Sequence, residues 1–400
     1  MAHSTNYRYL SPSSRIFAGR ALSNNLSSEV RRIGAKRVMI LSSYSVAQTT
    51  NLVTQVQELL GDNYAGSYTN ARKESPRKLV EEGVEFTKNL NPDLIVVIGG
   101  GSAVVTCRAI TILVGEGVSL DDIYTKHFPE GPPEVSRLTK PKIPNFLVLT
   151  TPTNGADRGG PPIYDDNPPH RKEIFDPKTR PSTIFLDRDA LLTAPFELYR
   201  DTSTTTVAGT INALLNTELS PFSLTDYRQS LELCMEYLPK LFKDPNDGDA
   251  RLQLAAAALL ANRAAQASYN SNVQGENTGL GRQLRYKYPH IGQGLASITN
   301  VQTELKINQK VNSSVIANIG KIMGLSQGSA SDYEFAGDTI NYLTDFIAGI
   351  GFPTRLRDMS VDKKDFEEIA KLDISEPAFG QGAGRVKDLS RMMEILEMAW

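Results

Sequence analysis

The chain has 400 residues, room for two or three domains, with 40% hydrophobic and 22% charged residues. That balance excludes fibrous, mucin-like and wholly disordered classes. A formal net charge of −2 leaves no global electrostatic footprint for nucleic acid or an anionic membrane.

Two cysteines, Cys107 and Cys234, make no disulfide framework and point to a reducing cytoplasm. The four histidines, His3, His127, His170 and His290, are too few for a His-rich catalytic metal centre. The first residues lack an apolar core of signal-peptide length. The longest apolar-rich run, Leu252–Ala267, carries Gln253, Asn262, Arg263 and Gln266, so no membrane span is expected.

In chain order, Val38–Leu41 is a short apolar run with Gly34 before it and Ser42-Ser43 after it, and reads as a strand. Val46–Leu60 has helical spacing. Pro76–Leu90 reads as a second helix with Ser75 as N-cap and Pro76 at its first position. Leu94–Ile98 is an unbroken apolar run, the pattern of a strand buried on both faces. It ends in Gly99-Gly100-Gly101-Ser102 and opens into a helix over 103–114. Phe146–Leu149 and Thr183–Leu186 are further strands, and this β-α-β-α order implies a parallel sheet. Beyond Leu192 the strand signals stop. Helices are predicted over Thr204–Asn216, Leu224–Leu241, Ala250–Tyr269, Asn312–Met323, Tyr333–Ile350 and Leu389–Met398.

The glycine turn carries the strongest local signal. Glycine allows a sharp turn and close ligand approach, and a helix N-terminus suits a pyrophosphate. A tight strand–helix turn with no ligand has the same local signature. The sequence is neither GxGxxG nor a P-loop. Phe146–Gly155 adds a second strand end, rich in threonine, and ligands collect at the carboxyl ends of parallel strands.

At these residues the chain resembles the iron-containing (group III) alcohol dehydrogenase family, relatives of the dehydroquinate synthase fold. Phe17–Leu22 is similar to the family's FGxGAL opening, and Asn91–Ser102 to its DxIIAxGGGS segment. Thr151–Gly155 is similar to the start of its PTTxGTGSE turn. Pro181–Asp187, with Leu191, Leu192 and Pro195, is similar to its P-x-x-V-x-x-D…L…P passage. Gly351–Leu356 with Val361-Asp362 resembles its G-x-P-x-x-L…GV segment. The resemblance implies an α/β nucleotide-binding domain with a parallel sheet over 1–192 and an all-helical domain over 193–400. It also implies a nicotinamide cofactor, NAD or NADP, with Ser43, Gly99, Gly100, Gly101, Ser102, Thr151 and Thr153 as cofactor-binding residues.

Departures from the family pattern shape the function expected. The family binds a divalent metal through an Asp and three His. Its Asp-Ala-Leu-x-His motif falls on Val207–Ile211, which puts Val207 and Ile211 at two ligand positions. The remaining two fall on Glu276 and His290 in one register, or on Gly279 and Gln293 in another. Val and Ile cannot coordinate a metal, so none is expected. The family's Asp after GGGS is Val105 here. The acidic residue that selects NAD aligns with Ser43, which permits NADP because no carboxylate repels a 2′-phosphate. Arg158 replaces part of the GTGSE turn, either to meet a phosphate or as a surface arginine.

Maleylacetate reductases resemble this family and indicate that the scaffold supports hydride chemistry without metal. A side chain must then supply the proton. The resemblance puts the cluster 282–290 at the family's active cleft. His290 is the first choice for acid/base work, Tyr286 and Tyr288 the second, and Arg282 and Arg285 suit a carboxylate substrate. The expected function is therefore a metal-independent NAD(P)-dependent oxidoreductase acting on an alcohol or carbonyl. The alternative is a pseudoenzyme that serves as a partner subunit or binds a peptide. Expected partners are a small-molecule or peptide substrate and a second copy of the chain, or an active partner in a hetero-complex. No nucleic acid and no membrane are expected.

Overall fold

The apolar runs at Val38–Ser43 (β2) and Leu94–Gly99 (β4) pair side by side in parallel, with nearly every residue buried. A strand covered on both faces needs no alternation, which is why these runs are continuous. Each fully buried Val, Leu or Ile contributes about 1.5–3 kcal/mol by leaving water. The computed structural model describes residues 7, 9, 11, 13–128, 133–167, 170–267, 273–375 and 384–400.

Around this pair lie Arg15–Gly19 (β1), Tyr64–Ala71 (β3), Asn145–Leu149 (β5) and Thr183–Asp187 (β8), giving one parallel sheet in the order β1-β8-β5-β4-β2-β3. Pro162–Tyr164 (β6) and Arg171–Glu173 (β7) form a separate antiparallel pair. The helices of this part are Ala21–Ile33 (α1), Tyr44–Thr49 (α2), Leu52–Leu60 (α3), Arg77–Leu90 (α4), Gly101–Glu116 (α5), Leu120–Ile123 (α6) and Arg188–Leu192 (α7). From β2 the chain proceeds outward to β3; from β4 it proceeds the other way, to β5. The loops after β2 and β4 thus leave in opposite directions, and the carboxyl ends of these two strands form a topological switch point.

The chain divides into two compact units. One covers 12–195 and holds the sheet. The other covers 196–400 with the described residues of the first eleven, and among its described residues there is no strand. Its helices are Phe196–Leu214 (α8), Pro221–Lys243 (α9), Gly248–Ala267 (α10), Leu280–Lys287 (α11), Gln293–Ile307 (α12), Ser313–Ile322 (α13), Asp332–Gly349 (α14), Phe366–Ser375 (α15) and Leu389–Ala399 (α16). α8 packs on α9, α10 and α12, and Tyr7 and Tyr9 lean on Phe222 at the start of α9.

Several expected boundaries move, each for a local reason. The helix expected over 46–60 breaks at Thr50, whose hydroxyl donates to the Val46 carbonyl (2.7 Å) and accepts from the Leu52 N–H (3.3 Å). Ser75 is not an N-cap. Pro76 takes that place, and Ser75 adopts φ +49° while its hydroxyl turns to α5. α8 starts eight residues earlier than expected, because Thr202–Thr206 return their hydroxyls to carbonyls four residues back instead of ending the helix. α10 is described to Ala267, and Ser268-Tyr269 lie outside the described residues. No helix among the described residues is long and apolar enough to cross a membrane.

Candidate functional site

The predicted cofactor residues converge at the switch point. β4 ends at Gly99, whose φ of +145° only glycine adopts without strain. Gly100 is the N-cap of α5, and no side chain caps that helix end. A Cβ on Gly100 would lie 2.6 Å from the Thr151 hydroxyl, and one on Gly99 would lie 3.1 Å from the Ser43 hydroxyl. Gly101 faces the Thr153 methyl at 4.0 Å by the same measure. The carboxyl ends of β2 and β4 and the turn after β5 therefore share one small-residue floor. The two buried threonines lie 3.3 Å apart through their hydroxyls, and Thr153 also donates to the Thr151 carbonyl (3.1 Å). Ser102 is tied from behind: its carbonyl accepts from Ser75, and Thr106 donates to the Ser75 hydroxyl (3.0 Å).

Two residues that sequence reasoning missed support this floor. Arg108, on α5, is buried and donates to the carbonyls of Gly155 and Ala156, so it fastens the turn after β5. Burial lowers its pKa to about 10, still charged at neutral pH. Arg72 follows β3, with its guanidinium 3.4 Å from the centre of the Tyr44 ring. Neither has a sequence signature: strand pairing sets Arg72 beside Ser43, and the packing of α5 brings Arg108 to the turn after β5. Arg158 is exposed, and Val105 is half-buried on α5.

The helical unit holds the predicted acid/base cluster. Leu280, Gln283 and Leu284 bury one stripe of α11, while Arg282, Arg285 and Tyr286 share the opposite stripe by i, i+3, i+4 spacing. Tyr286 is 59% exposed, and the two arginines are half-buried. Tyr288 and His290 stand edge to face with ring centres 5.9 Å apart. The Tyr288 hydroxyl donates to Asp365 (2.5 Å) and accepts from the Asp362 N–H (3.2 Å). Burial, reinforced by Asp365, raises its pKa, so the phenol keeps its proton. His290 is exposed, and its Nε2 donates to the Met359 carbonyl (3.0 Å), which leaves Nδ1 as the ring nitrogen open to proton exchange. The structure thus gathers Tyr288 and His290, fixes Tyr288 to a loop, and leaves Tyr286 outward.

The description "Iron-containing alcohol dehydrogenase" matches residues 12–188, and the C-terminal part of the same family matches 206–400. The chain belongs to the iron-containing alcohol dehydrogenase family. It is therefore an alcohol-dehydrogenase-like oxidoreductase by descent. It is 24% identical to the NAD-dependent methanol dehydrogenase of Bacillus methanolicus, over 99% of this chain and 100% of that one. It is also 24% identical to lactaldehyde reductase of Escherichia coli, over 96% and 97%. Among solved structures, an alcohol dehydrogenase from Oenococcus oeni superposes with a TM-score of 0.84 at 19% identity, over 99% of this chain and 100% of that one.

The family name implies a metal, and sequence reasoning sets its ligand positions at Val207 and Ile211 with either Glu276 and His290 or Gly279 and Gln293. Val207 and Ile211 are fully buried aliphatic residues inside α8. Glu276 is engaged by Arg391 through both carboxylate oxygens. Gly279 has no side chain, and its N–H donates to Asp373 (3.0 Å); Gln293 is exposed. Among the described residues, no group of three His, Cys, Asp or Glu could hold a metal ion.

Proposed function

We propose that this protein is a metal-independent, NAD(P)-dependent oxidoreductase that moves a hydride to or from an alcohol or carbonyl substrate. The observation that carries the reading is the small-residue floor of Ser43, Gly99, Gly100, Gly101, Thr151 and Thr153 at the switch point. Side chains at those glycines would fill the space a dinucleotide backbone needs. The N-terminus of α5 offers N–H groups and positive dipole to its pyrophosphate. A nicotinamide dinucleotide bound there supplies or accepts the hydride, as in the NAD-dependent relative from Bacillus methanolicus.

The chain's own residues handle the proton. His290, fixed through Nε2 by the Met359 carbonyl, exchanges it with the substrate oxygen at Nδ1. Arg282 and Arg285 hold a carboxylate on the substrate. Cys107 and Cys234 are free and buried, in keeping with a cytoplasmic protein. A second reading, a catalytically degenerate subunit, draws on the buried aliphatic Val207 and Ile211, onto which the sequence reading sets two of the family's metal ligands.

The test uses chelator-treated protein, titrated with NADH and NADPH by nicotinamide fluorescence and then assayed on short aldehydes, ketones and 2-oxo acids. Turnover that survives chelation and falls by about a hundredfold in His290→Gln supports the proposal. Nucleotide binding without turnover on any substrate favours the degenerate subunit. Turnover restored only by added metal refutes the metal-independent reading.

A further inference from the structure

β2 and β3 run parallel, and their last residues, Ser43 and Ala71, are register partners. Arg72 is thus the first residue beyond the sheet on the strand beside Ser43. Its loop is anchored close to the glycine turn, because Ser75, three residues on, bonds the Ser102 carbonyl (3.4 Å) and receives the Thr106 hydroxyl. The loop's path is set by two non-glycine residues of positive φ, Glu74 (+65°) and Ser75 (+49°). Such backbone persists only where the surroundings over-determine it.

Arg72 is held in a defined pose at this place. The guanidinium lies over the Tyr44 ring, and its Nε donates to the Asn70 side chain (3.2 Å). Among the described residues no carboxylate pairs with it. Stacking on an aromatic face pre-orients the planar fork. Lys73, exposed beside it, adds positive charge, while Glu74 is the stretch's one carboxylate. At the end of β2 stands a serine hydroxyl, where a carboxylate would repel an anion.

A dinucleotide whose pyrophosphate lies on the glycine turn at β4 extends its adenosine ribose across the end of the neighbouring strand, β2. We infer that Arg72, braced on Tyr44 next to Ser43, binds the 2′-phosphate of that ribose and makes NADP(H) the preferred cofactor. The inference rests on the nucleotide reading of the glycine turn and adds the residue that chooses between the two cofactors. Arginine is suited to this task because its paired donors match two phosphate oxygens.

The experiment measures dissociation constants of NADPH and NADH by fluorescence, and of adenosine 2′,5′-bisphosphate and AMP by calorimetry. Wild type, Arg72→Gln and Ser43→Asp are compared at low and high salt, with thermal melts as folding controls. The expected wild-type preference for the 2′-phosphorylated member of each pair is about tenfold or more, the scale of one charge-assisted bidentate contact. Arg72→Gln brings that ratio to near one, Ser43→Asp inverts it, and salt narrows it in wild type but not in Arg72→Gln. An unchanged ratio in Arg72→Gln, or wild type preferring NADH, overturns the assignment and leaves the nucleotide reading standing. No binding of any of the four ligands by folded wild type overturns the nucleotide reading and this inference together.

Discussion

Gly100 is where a single methyl group decides most. Its φ of −95° is open to any residue, so backbone strain does not require glycine there. Space does: a Cβ would lie 2.6 Å from the Thr151 hydroxyl, in a buried spot where that threonine has little room to move. Gly100→Ala should therefore cost about 1–3 kcal/mol of overpacking and push Thr151 out of the floor. The expected outcome is a lowered melting temperature and NAD(P)H binding weakened by about tenfold or more, measured by calorimetry well below the melt. Full affinity in Gly100→Ala would remove the glycine turn from the cofactor site. The turn itself is legible in the sequence, because a buried apolar strand runs straight into three glycines, although a turn with no ligand has the same local signature. Arg72 and Arg108 had no such signal. Their positions depend on which strand lies beside which and on how α5 packs, and one sequence read along its length gives neither.

At the scale of elements, the turn after β5 is the least regular part of the small-residue floor, and α5 holds it. Arg108 reaches from the second turn of α5 to the Gly155 and Ala156 carbonyls, which no strand partner satisfies. Burying that charge is expensive, and the two carbonyls offset the cost only while the turn stays in place. Arg108→Met should free the turn and leave two carbonyls, that of Ala156 buried, without this donor. We expect NAD(P)H affinity to fall by about tenfold, with Arg108→Lys recovering part of it through one remaining bond. Equal affinity across the three proteins, at similar melting temperatures, would show that the turn holds itself. Elements of this kind divide by legibility. β2, β4, β5 and β8 were readable because continuous apolar runs dominate them. β3 was not: Tyr64–Ala71 mixes glycine, serine and asparagine in an edge strand. α12 was missed as a helix for a different reason. α12 buries Thr299, Gln302, Thr303 and Glu304 along with its apolar residues, so the polar half of the expected amphipathic pattern is inside the protein.

For the molecule as a whole, near-balanced charge means that pH acts through particular buried groups. Glu304 is the clearest of them. It is 6% exposed on α12, and its carboxylate accepts the Thr278 N–H (2.8 Å), with Asn300, Arg385 and Asp373 around it. Asp373, fully buried, accepts the next N–H along, that of Gly279, and pairs with Arg385. The two carboxylates thus hold the chain where it enters α11, the helix that leads to His290. Burial raises the Glu304 pKa from 4.5 to about 7, against the opposing pull of the Thr278 N–H, Asn300 and Arg385. A raised pKa means that the folded protein keeps a proton that the unfolded chain releases between these two values. The stability this contributes is complete below pH about 4.5 and is lost as pH rises through about 7, on the order of 3 kcal/mol in all. Glu304→Gln keeps an oxygen acceptor for Thr278 and removes the titration. Between pH 5 and pH 8 the melting temperature of wild type should therefore fall relative to that of Glu304→Gln. The difference should level off above pH 8, where wild-type Glu304 is ionised in both states. Parallel melting curves across this range would mean that the Glu304 proton plays no part in the fold. A carboxylate with a lowered pKa, set by Arg385 instead of by burial, would leave the curves parallel here and show wild type losing ground to the variant only below pH about 4.5.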